Sequence, residues 1–213
     1  MSRSEALQPI LKGVAVIPVV TVVDAAAAVP LARALVAGGL RVLEIALRTD
    51  AALEAIAAIA SEVKDAIVGA GTVTRKDQFA ASEKAGARFM VSPGASPGVL
   101  AAARDSAVPL MPGAATASEA MALMEEGYTI QKFFPAEPAG GVAYLKALAA
   151  PLPRIGFCPT GGIDARNAGA YLALPNVICV GGSWMAPDDA VAAGDWKRIE
   201  RLAREAAALR ASA

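Results

Sequence analysis

The chain has 213 residues, of which 55% are hydrophobic, 19% are charged and only 5% are aromatic, and its 20 basic side chains balance 20 acidic ones. This balance gives no field that would attract nucleic acid or an anionic membrane, and no apolar run approaches the roughly 18 uncharged residues that cross a bilayer. The chain has no histidine, which excludes an imidazole base and removes the commonest zinc ligand, so we expect no metal and no cofactor.

Two further features bear on where the protein works. Met1–Lys12 has charge and helical spacing but no apolar stretch that ends in a cleavage site, which is not typical of a signal peptide. The two cysteines, Cys158 and Cys179, lie in predicted strands without CxxC spacing, which favours reduced core thiols. We therefore expect a cytoplasmic protein.

Short apolar runs bounded by Gly, Pro, Ser or Thr predict eight strands along the chain. Taken in order, they are Val14–Val20, Val42–Leu47, Ile67–Thr72, Phe89–Pro93, Leu110–Gly113, Gln131–Pro135, Ile155–Thr160 and Ile178–Gly182. Successive strands end 20 to 27 residues apart, about the length of one strand–helix unit. A helix is expected before the first strand, and an amphipathic helix over Trp196–Leu209 ends the chain.

Helices between the strands are indicated by Ala-rich stretches of helical period and by end signals. Asp24, Thr116 with Glu119, and Asp164 are predicted N-terminal caps, and Gly38-Gly39 is a predicted stop. Eight even units predict an α/β fold of the (β/α)₈ TIM barrel type, with residues 1–213 as a single domain that has an N-terminal helix. The alternative is an open doubly wound sheet, which requires only alternating strands and helices.

Glu44 and Lys132 are the only charged residues inside the predicted strands. An isolated charge in an apolar interior is costly unless it is paired or used, and apolar surroundings favour the neutral, nucleophilic form of a lysine. Phe134 is expected on the same face as Lys132, because side chains alternate along a strand. This pattern predicts a Schiff-base lysine with a carboxylate that moves protons. A structural ion pair across the barrel is the alternative.

The carboxyl ends of other strands supply candidate binding groups, since catalytic residues of barrels collect at that end. Arg48 shares the face of Glu44 and could bind a carboxylate, although a rim salt bridge is the alternative. Thr72 offers a hydroxyl after the third strand. Pro93 and Thr160 end two further strands and are expected to line the pocket.

Two glycine pairs predict a phosphate site, because the loops after strands 7 and 8 of barrels often hold phosphate. Gly161-Gly162 follows the seventh strand, and Gly181-Gly182 precedes Ser183 at the end of the eighth. Glycine lets backbone N–H groups approach an anion closely, and a helix that starts at Asp164 would add its dipole. Glu137 is interpreted as a solvated rim charge.

Five segments that carry these residues resemble 2-keto-3-deoxy-6-phosphogluconate aldolase, the class I, Schiff-base aldolase family of the Entner–Doudoroff pathway. The resemblance extends in order over nearly the whole chain. The segments are Val42-Leu43-Glu44-Ile45-Ala46-Leu47-Arg48-Thr49, Gly69-Ala70-Gly71-Thr72-Val73, Lys132-Phe133-Phe134-Pro135-Ala136-Glu137, Cys158-Pro159-Thr160-Gly161-Gly162-Ile163 and Gly181-Gly182-Ser183-Trp184.

The resemblance implies a role for each matched residue. Lys132 corresponds to the Schiff-base lysine and Glu44 to the proton-transfer carboxylate. Arg48 and Thr72 correspond to the pyruvate-carboxylate site. The phosphate site corresponds to Gly161, Gly162 and Ser183.

The resemblance also implies the reaction and the assembly. The expected substrate is a phosphorylated 2-keto-3-deoxy sugar acid, cleaved to pyruvate and glyceraldehyde 3-phosphate, with 4-hydroxy-2-oxoglutarate as a further substrate. A homotrimer is implied, with no nucleic-acid or membrane partner.

Two departures from the family pattern concern substrate preference. Ala46 stands where relatives often carry Thr, and Pro18 to Thr21 includes no arginine, which some relatives have there. Two other functions remain open: an isomerase or synthase barrel that uses Lys132 only electrostatically, and a barrel that binds sugar phosphates without turnover.

Overall fold

Residues 3–209 are the part of the chain that this computed structural model describes, and they form nine strands that alternate with helices. The strands are β1 (Val16–Val20), β2 (Val42–Ala46), β3 (Ile67–Gly71), β4 (Met90–Val91), β5 (Leu110–Met111), β6 (Gly113–Ala114), β7 (Ile130–Phe133), β8 (Gly156–Pro159) and β9 (Val180–Gly182). The helices are α1 (Gln8–Leu11), α2 (Ala28–Ala37), α3 (Ala52–Glu62), α4 (Asp77–Lys84), α5 (Pro97–Asp105), α6 (Ala117–Glu125), α7 (Gly141–Leu148), α8 (Ala168–Leu172), α9 (Asp188–Ala192) and α10 (Trp196–Ala207). Short 3₁₀ turns, Glu5–Leu7 and Ala25–Ala27, precede α1 and α2.

The strands form two sheets in which every pair is parallel, so the chain has an α/β fold. The larger sheet has the order β5-β4-β3-β2-β1-β9, and the smaller has the order β6-β7-β8. Single bridges, Phe157 with Val177 and Thr160 with Gly181, join the β8 segment to the β9 segment.

Each predicted strand has a counterpart at nearly the predicted place, but the fifth is divided. Pro112 separates β5, which pairs with β4, from β6, which pairs with β7. Proline has no N–H to donate to a ladder, which favours an interruption of the strand at this position. The Pro112 carbonyl still accepts a hydrogen bond of 2.8 Å from the Lys132 amide.

Local sequence signals account for several of the helix ends. Thr116 and Glu119 form the predicted capping box at the start of α6. After α2, Gly39 has φ +98°, and the Leu40 and Gly39 amides bond back to Leu35 and Val36, the pattern of a Schellman cap. The predicted stop at Gly38-Gly39 is therefore confirmed. Asp24 caps only the 3₁₀ turn before α2, where it accepts from the Ala26 amide.

The helices pack around a continuous core of small aliphatic residues that runs from Ala15 to Ala206. α10 covers α2 closely, since a Cβ at Gly38 would lie 2.4 Å from the Ala203 Cβ. A second cluster of buried residues lies under the N-terminal helix and comprises Leu7, Leu11, Ile17, Val42, Phe89, Val91, Met111, Ile130, Cys158 and Cys179. Among residues 3–209, no helix has the length and apolarity needed to cross a membrane. The sequence predicted a single domain over residues 1–213. Residues 1–2 and 210–213 of that range lie outside the described residues.

Candidate active site

Glu44 of β2 and Lys132 of β7 meet inside the protein, as the sequence predicted for a pair. The Lys132 Nζ donates to Glu44 Oε1 at 3.1 Å, and the two side chains are only 5% and 2% exposed. Gly71 of β3 makes this contact possible, because a Cβ at that position would lie 2.2 Å from Glu44 Oε1. The pair therefore lies in a space that β2, β3 and β7 leave open between them.

An aromatic ring lies beside the amine. The Lys132 Nζ is 5.5 Å from the centre of the Phe134 ring, which confirms that the two side chains lie on the same side. Phe134 itself is only partly buried and lines a cavity of about 1000 Å³. The amine is thus enclosed by a carboxylate and an aromatic face, and it is separated from solvent by the ring and by the strands.

Arg48 and Thr72 form a second cluster at the carboxyl ends of β2 and β3. The Arg48 Nε donates to Thr72 Oγ1 at 3.1 Å, and the guanidinium is otherwise exposed. Thr72 has φ +57°, and it is the only residue other than glycine with a positive φ in the described range. A β-branched residue in this conformation costs roughly 1–2 kcal/mol, and such strain collects at functional sites.

A cavity of about 1000 Å³ opens at the same end of the strands. Six of the predicted site residues line it: Arg48, Phe134, Thr160, Gly161, Gly162 and Ser183. Apolar residues make up much of the remaining lining, among them Val19, Val22, Val23, Ile163, Ala186 and Val191. Arg48 is the only cationic residue in this lining, whereas Asp24 and Asp188 contribute carboxylates.

The Gly161-Gly162 loop presents unused backbone donors. Both residues have positive φ, +103° and +79°. The Gly161 carbonyl accepts from the Glu137 amide at 3.0 Å, and the Gly162 carbonyl accepts from Asn167 Nδ2 at 2.9 Å. Within residues 3–209, the amides of the two glycines donate to no protein acceptor. Because the two carbonyls are hydrogen-bonded and the two amides are not, the loop can bind an anion through its amides.

Three sequence-based expectations need correction or refinement. The predicted helix start at Asp164 is wrong: α8 begins at Ala168, because the Asp164 carboxylate accepts from the Arg166 amide at 2.8 Å and closes a local turn. No helix N-terminus therefore follows directly after the glycine pair. Pro93 does not line the large cavity; its carbonyl lies against Gly113, the strand partner of Lys132. The Thr160 hydroxyl is buried without a hydrogen-bond partner, although the residue lines the cavity.

Sequence reasoning missed a contact that links two loops of the site. Glu137 is not simply a solvated rim charge, because its Oε1 accepts from the hydroxyl of Tyr171, a fully buried residue of α8. Burial, and then the hydrogen bond to Glu137, raises the pKa of Tyr171 well above its usual value. Thr49 was also missed; its hydroxyl donates to the Val22 carbonyl and so ties the loop after β2 to the loop after β1. The one sequence signal for either contact was that Glu137 follows Lys132 closely in the chain.

Among the residues that the structure describes, no three His, Cys, Asp or Glu side chains are grouped so as to hold a metal ion. Arg48, Asp24 and Asp188 line the cavity, whereas Lys132 and Glu44 lie outside its lining, with the Lys132 amine beside the Phe134 ring that does line it. Such a set can form a covalent adduct with a carbonyl group, transfer protons and hold a carboxylate.

Comparison with known proteins gives consistent matches over almost the whole chain. Residues 7–202 match the family described as "Aldolase: KDPG and KHG aldolase". The 2-dehydro-3-deoxy-phosphogluconate aldolase of Pseudoalteromonas atlantica is 56% identical over 193 residues, which cover 91% of this chain and 90% of that protein. The KHG/KDPG aldolase of Escherichia coli K12 is 54% identical over 191 residues, 90% of each chain.

A solved structure matches equally well in three dimensions. It is the KDPG aldolase of Legionella pneumophila, with pyruvate captured at low pH as a covalent carbinolamine intermediate. The two structures superpose with a TM-score of 0.90 at 43% identity, over 96% of this chain and 97% of the other.

Proposed function

Because this chain belongs to the KDPG and KHG aldolase family, we propose that it is a carbon–carbon lyase that cleaves 2-dehydro-3-deoxy-6-phosphogluconate. The products are pyruvate and glyceraldehyde 3-phosphate. The observation that carries the proposal is the buried contact of 3.1 Å between the Lys132 amine and the Glu44 carboxylate, beside the ring of Phe134 at the cavity. A lysine in such surroundings is suited to covalent catalysis on a ketone.

Lys132 is the nucleophile in the mechanism that we propose. Its ammonium proton passes along the hydrogen bond to Glu44, which leaves a neutral amine that attacks the C2 ketone of the substrate. Glu44 returns this proton to the hydroxyl group of the carbinolamine, which leaves as water and gives an iminium ion, and Glu44 is again a carboxylate. The iminium ion accepts the electron pair when the C3–C4 bond breaks. The relative whose structure holds pyruvate as a carbinolamine supports this class of chemistry.

Glu44 moves the remaining protons. Through a water molecule it removes the proton of the C4 hydroxyl as C3–C4 breaks, and glyceraldehyde 3-phosphate leaves. It then returns a proton to C3 of the enamine, and hydrolysis of the iminium releases pyruvate and regenerates Lys132. The water consumed in this hydrolysis equals the water lost when the iminium formed, so the cleavage needs no other reactant.

Two binding sites hold the ends of the substrate in this proposal. Arg48 and Thr72, which share a hydrogen bond of 3.1 Å, bind the carboxylate next to C2. Charge-assisted hydrogen bonds from a guanidinium suit a planar carboxylate.

The phosphate lies against the free amides of Gly161 and Gly162 and the hydroxyl of Ser183, all of which line the cavity. Phe134 and Thr160 line the space between the two ends. Pro93 lies next to Gly113, the strand partner of Lys132.

We also propose that the two sheets form one closed (β/α)₈ barrel and that residues 1–213 are a single domain. Three features support closure: the last strand pairs with the first, two bridges join the segments of β8 and β9, and the halves of the divided fifth strand pair with opposite sheets. The continuous core supports one domain.

The family resemblance supports a homotrimer. The two free, buried cysteines fit the reducing conditions of the cytoplasm, where we propose that the enzyme works.

A second substrate, 4-hydroxy-2-oxoglutarate, is favoured by the name of the E. coli relative. Its aldehyde product carries a carboxylate instead of a phosphate. The free glycine amides could receive either anion, so the same Lys132 chemistry would release pyruvate from both substrates.

The direct test is cleavage of each substrate by the purified protein, with pyruvate measured by a coupled dehydrogenase. We expect turnover of 2-dehydro-3-deoxy-6-phosphogluconate, and none by a Lys132→Ala variant that keeps its fold. Binding of the sugar acid phosphate without turnover would indicate a binding protein. Turnover of a sugar phosphate that survives in Lys132→Ala would indicate an isomerase or synthase. Failure of Lys132→Ala to fold would favour a structural ion pair.

A further inference from the structure

Hydrogen bonds from two neighbouring segments hold the carbonyls of the Gly161-Gly162 loop. On one side the Glu137 amide, in the segment that follows β7, holds the Gly161 carbonyl at 3.0 Å. On the other side Asn167, directly before α8, holds the Gly162 carbonyl at 2.9 Å. These two bonds turn the glycine carbonyls away from the cavity, and so they determine which way the free amides can face.

A single side-chain contact joins these two segments to each other. The Tyr171 hydroxyl, on α8, donates to Glu137 Oε1, on the β7 side. Tyr171 is fully buried, so its hydroxyl bonds to the charged carboxylate of Glu137 and not to water. A hydrogen bond to a charged group is worth about 1.5–3 kcal/mol, more than an ordinary one.

Two glycines enclose this contact. A Cβ at Gly162 would lie 2.7 Å from the Cβ and Cγ of Glu137. A Cβ at Gly141, which has φ +60°, would lie 3.2 Å from the Tyr171 hydroxyl and 3.3 Å from Glu137 Oε1. The Glu137 side chain is therefore packed directly against the loop that presents the amides, and a shift of one displaces the other.

The charge of Glu137 does not itself favour anion binding. A carboxylate close to an anion site weakens anion binding by like-charge repulsion. What remains is its position: it accepts from Tyr171, packs under Gly162 and bonds through its amide to Gly161.

We propose that Glu137 and Tyr171 are a positioning pair that holds the Gly161-Gly162 loop in the shape that receives phosphate, and that this pair sets the preference for phosphorylated aldehydes. This inference rests on the proposed function. Neither residue touches the reacting carbons, so the pair acts on the aldehyde end of the substrate and leaves the pyruvate end unaffected.

The test compares two aldehydes in the condensation direction, glyceraldehyde 3-phosphate and glyceraldehyde, each with pyruvate. Tyr171→Phe and Glu137→Ala remove the contact and should raise KM for the phosphorylated aldehyde at least about fivefold, with kcat changed much less. Glu137→Gln keeps an acceptor oxygen and loses the charge, so its KM should equal or fall below that of the wild type. Tyr144→Phe is the matched control, because the Tyr144 hydroxyl serves only the Ala117 amide, at 3.1 Å.

Exchange of the pyruvate methyl protons in D₂O separates this proposal from the proposed function. It needs Lys132, Glu44 and the carboxylate site of Arg48 and Thr72 but not the phosphate site, so it should stay within about twofold of wild type in all four variants. An unchanged KM for glyceraldehyde 3-phosphate in Tyr171→Phe and Glu137→Ala would overturn the positioning role. So would an equal loss with both aldehydes, or a Glu137→Gln variant as impaired as Glu137→Ala. Absence of exchange in the wild type would instead contradict the proposed function.

Glu137 is an exposed residue, although its carboxylate bonds to Tyr171, so its two variants are expected to fold even if Tyr171→Phe does not. The comparison of Glu137→Ala with Glu137→Gln then decides the proposal alone.

Discussion

Gly71→Ala is the substitution that most directly tests the geometry of the Lys132–Glu44 pair, for which we propose a catalytic role. The added Cβ would lie 2.2 Å from Glu44 Oε1 and 2.5 Å from its Cγ, whereas ordinary contacts begin at 3.4 Å. The carboxylate must therefore move by about 1 Å, and a misplacement of that size in a catalytic group can cost about a hundredfold in rate. Because β2 is buried along its whole length, the side chain has little room to move without leaving Lys132.

The assay is deuterium exchange into the methyl group of pyruvate, followed by proton NMR, because it isolates the Lys132 and Glu44 steps from aldehyde binding. We expect Gly71→Ala to lose exchange by about a hundredfold while the far-ultraviolet circular dichroism spectrum is retained. Gly94→Ala is the matched control, since a Cβ there meets no atom within 4 Å. Exchange at the wild-type rate in folded Gly71→Ala would refute the reasoning.

Three further variants test other parts of the account. Arg48→Ala should raise KM for pyruvate about tenfold in condensation kinetics, with only partial recovery in Arg48→Lys, which lacks the planar fork; an unaltered KM would remove Arg48 from carboxylate binding. Thr72→Gly should relieve the strain of φ +57° and so not lower the melting temperature, yet should raise KM for pyruvate because the hydroxyl is lost; a falling melting temperature with normal KM would contradict this. The backbone hydrogen bond from Ala115, with smaller contributions from Thr116, lowers the pKa of Glu119 in the folded chain. Its carboxylate therefore adds stability above the unfolded pKa and loses it as pH falls through the folded pKa, so between about pH 5 and 3 the wild type should lose melting temperature faster than Glu119→Gln; parallel curves would count against the capping role.

The positions of the strands were predictable because the strands are buried. β2 extends over Val42–Ala46 with all five residues inaccessible, and it was predicted as Val42–Leu47 from a continuous apolar run. Strands covered on both faces have this appearance in a sequence. For the same reason a single charge inside such a run, as at Glu44, could be recognised as a candidate site residue.

What could not be predicted depends on contacts between distant segments. The strained φ of Thr72 follows from where β3 ends beside Arg48, and no local pattern encodes it. The contact of Glu137 with Tyr171 joins residues 34 apart in sequence, through an arrangement of glycines that is visible only in three dimensions.

The helix expected at Asp164 failed for a local reason. An aspartate that can cap a helix can equally close a turn with its own neighbours, and here it bonds to Arg166.

Borohydride reduction in the presence of pyruvate, followed by mass spectrometry of the digested protein, tests the central claim most directly. The account predicts a single reduced pyruvyl adduct on Lys132, formed by the wild type and by Gly94→Ala but strongly diminished in Gly71→Ala. Folded wild-type protein that gives no adduct, or an adduct on a different lysine, would contradict the assignment of Lys132 as the Schiff-base residue.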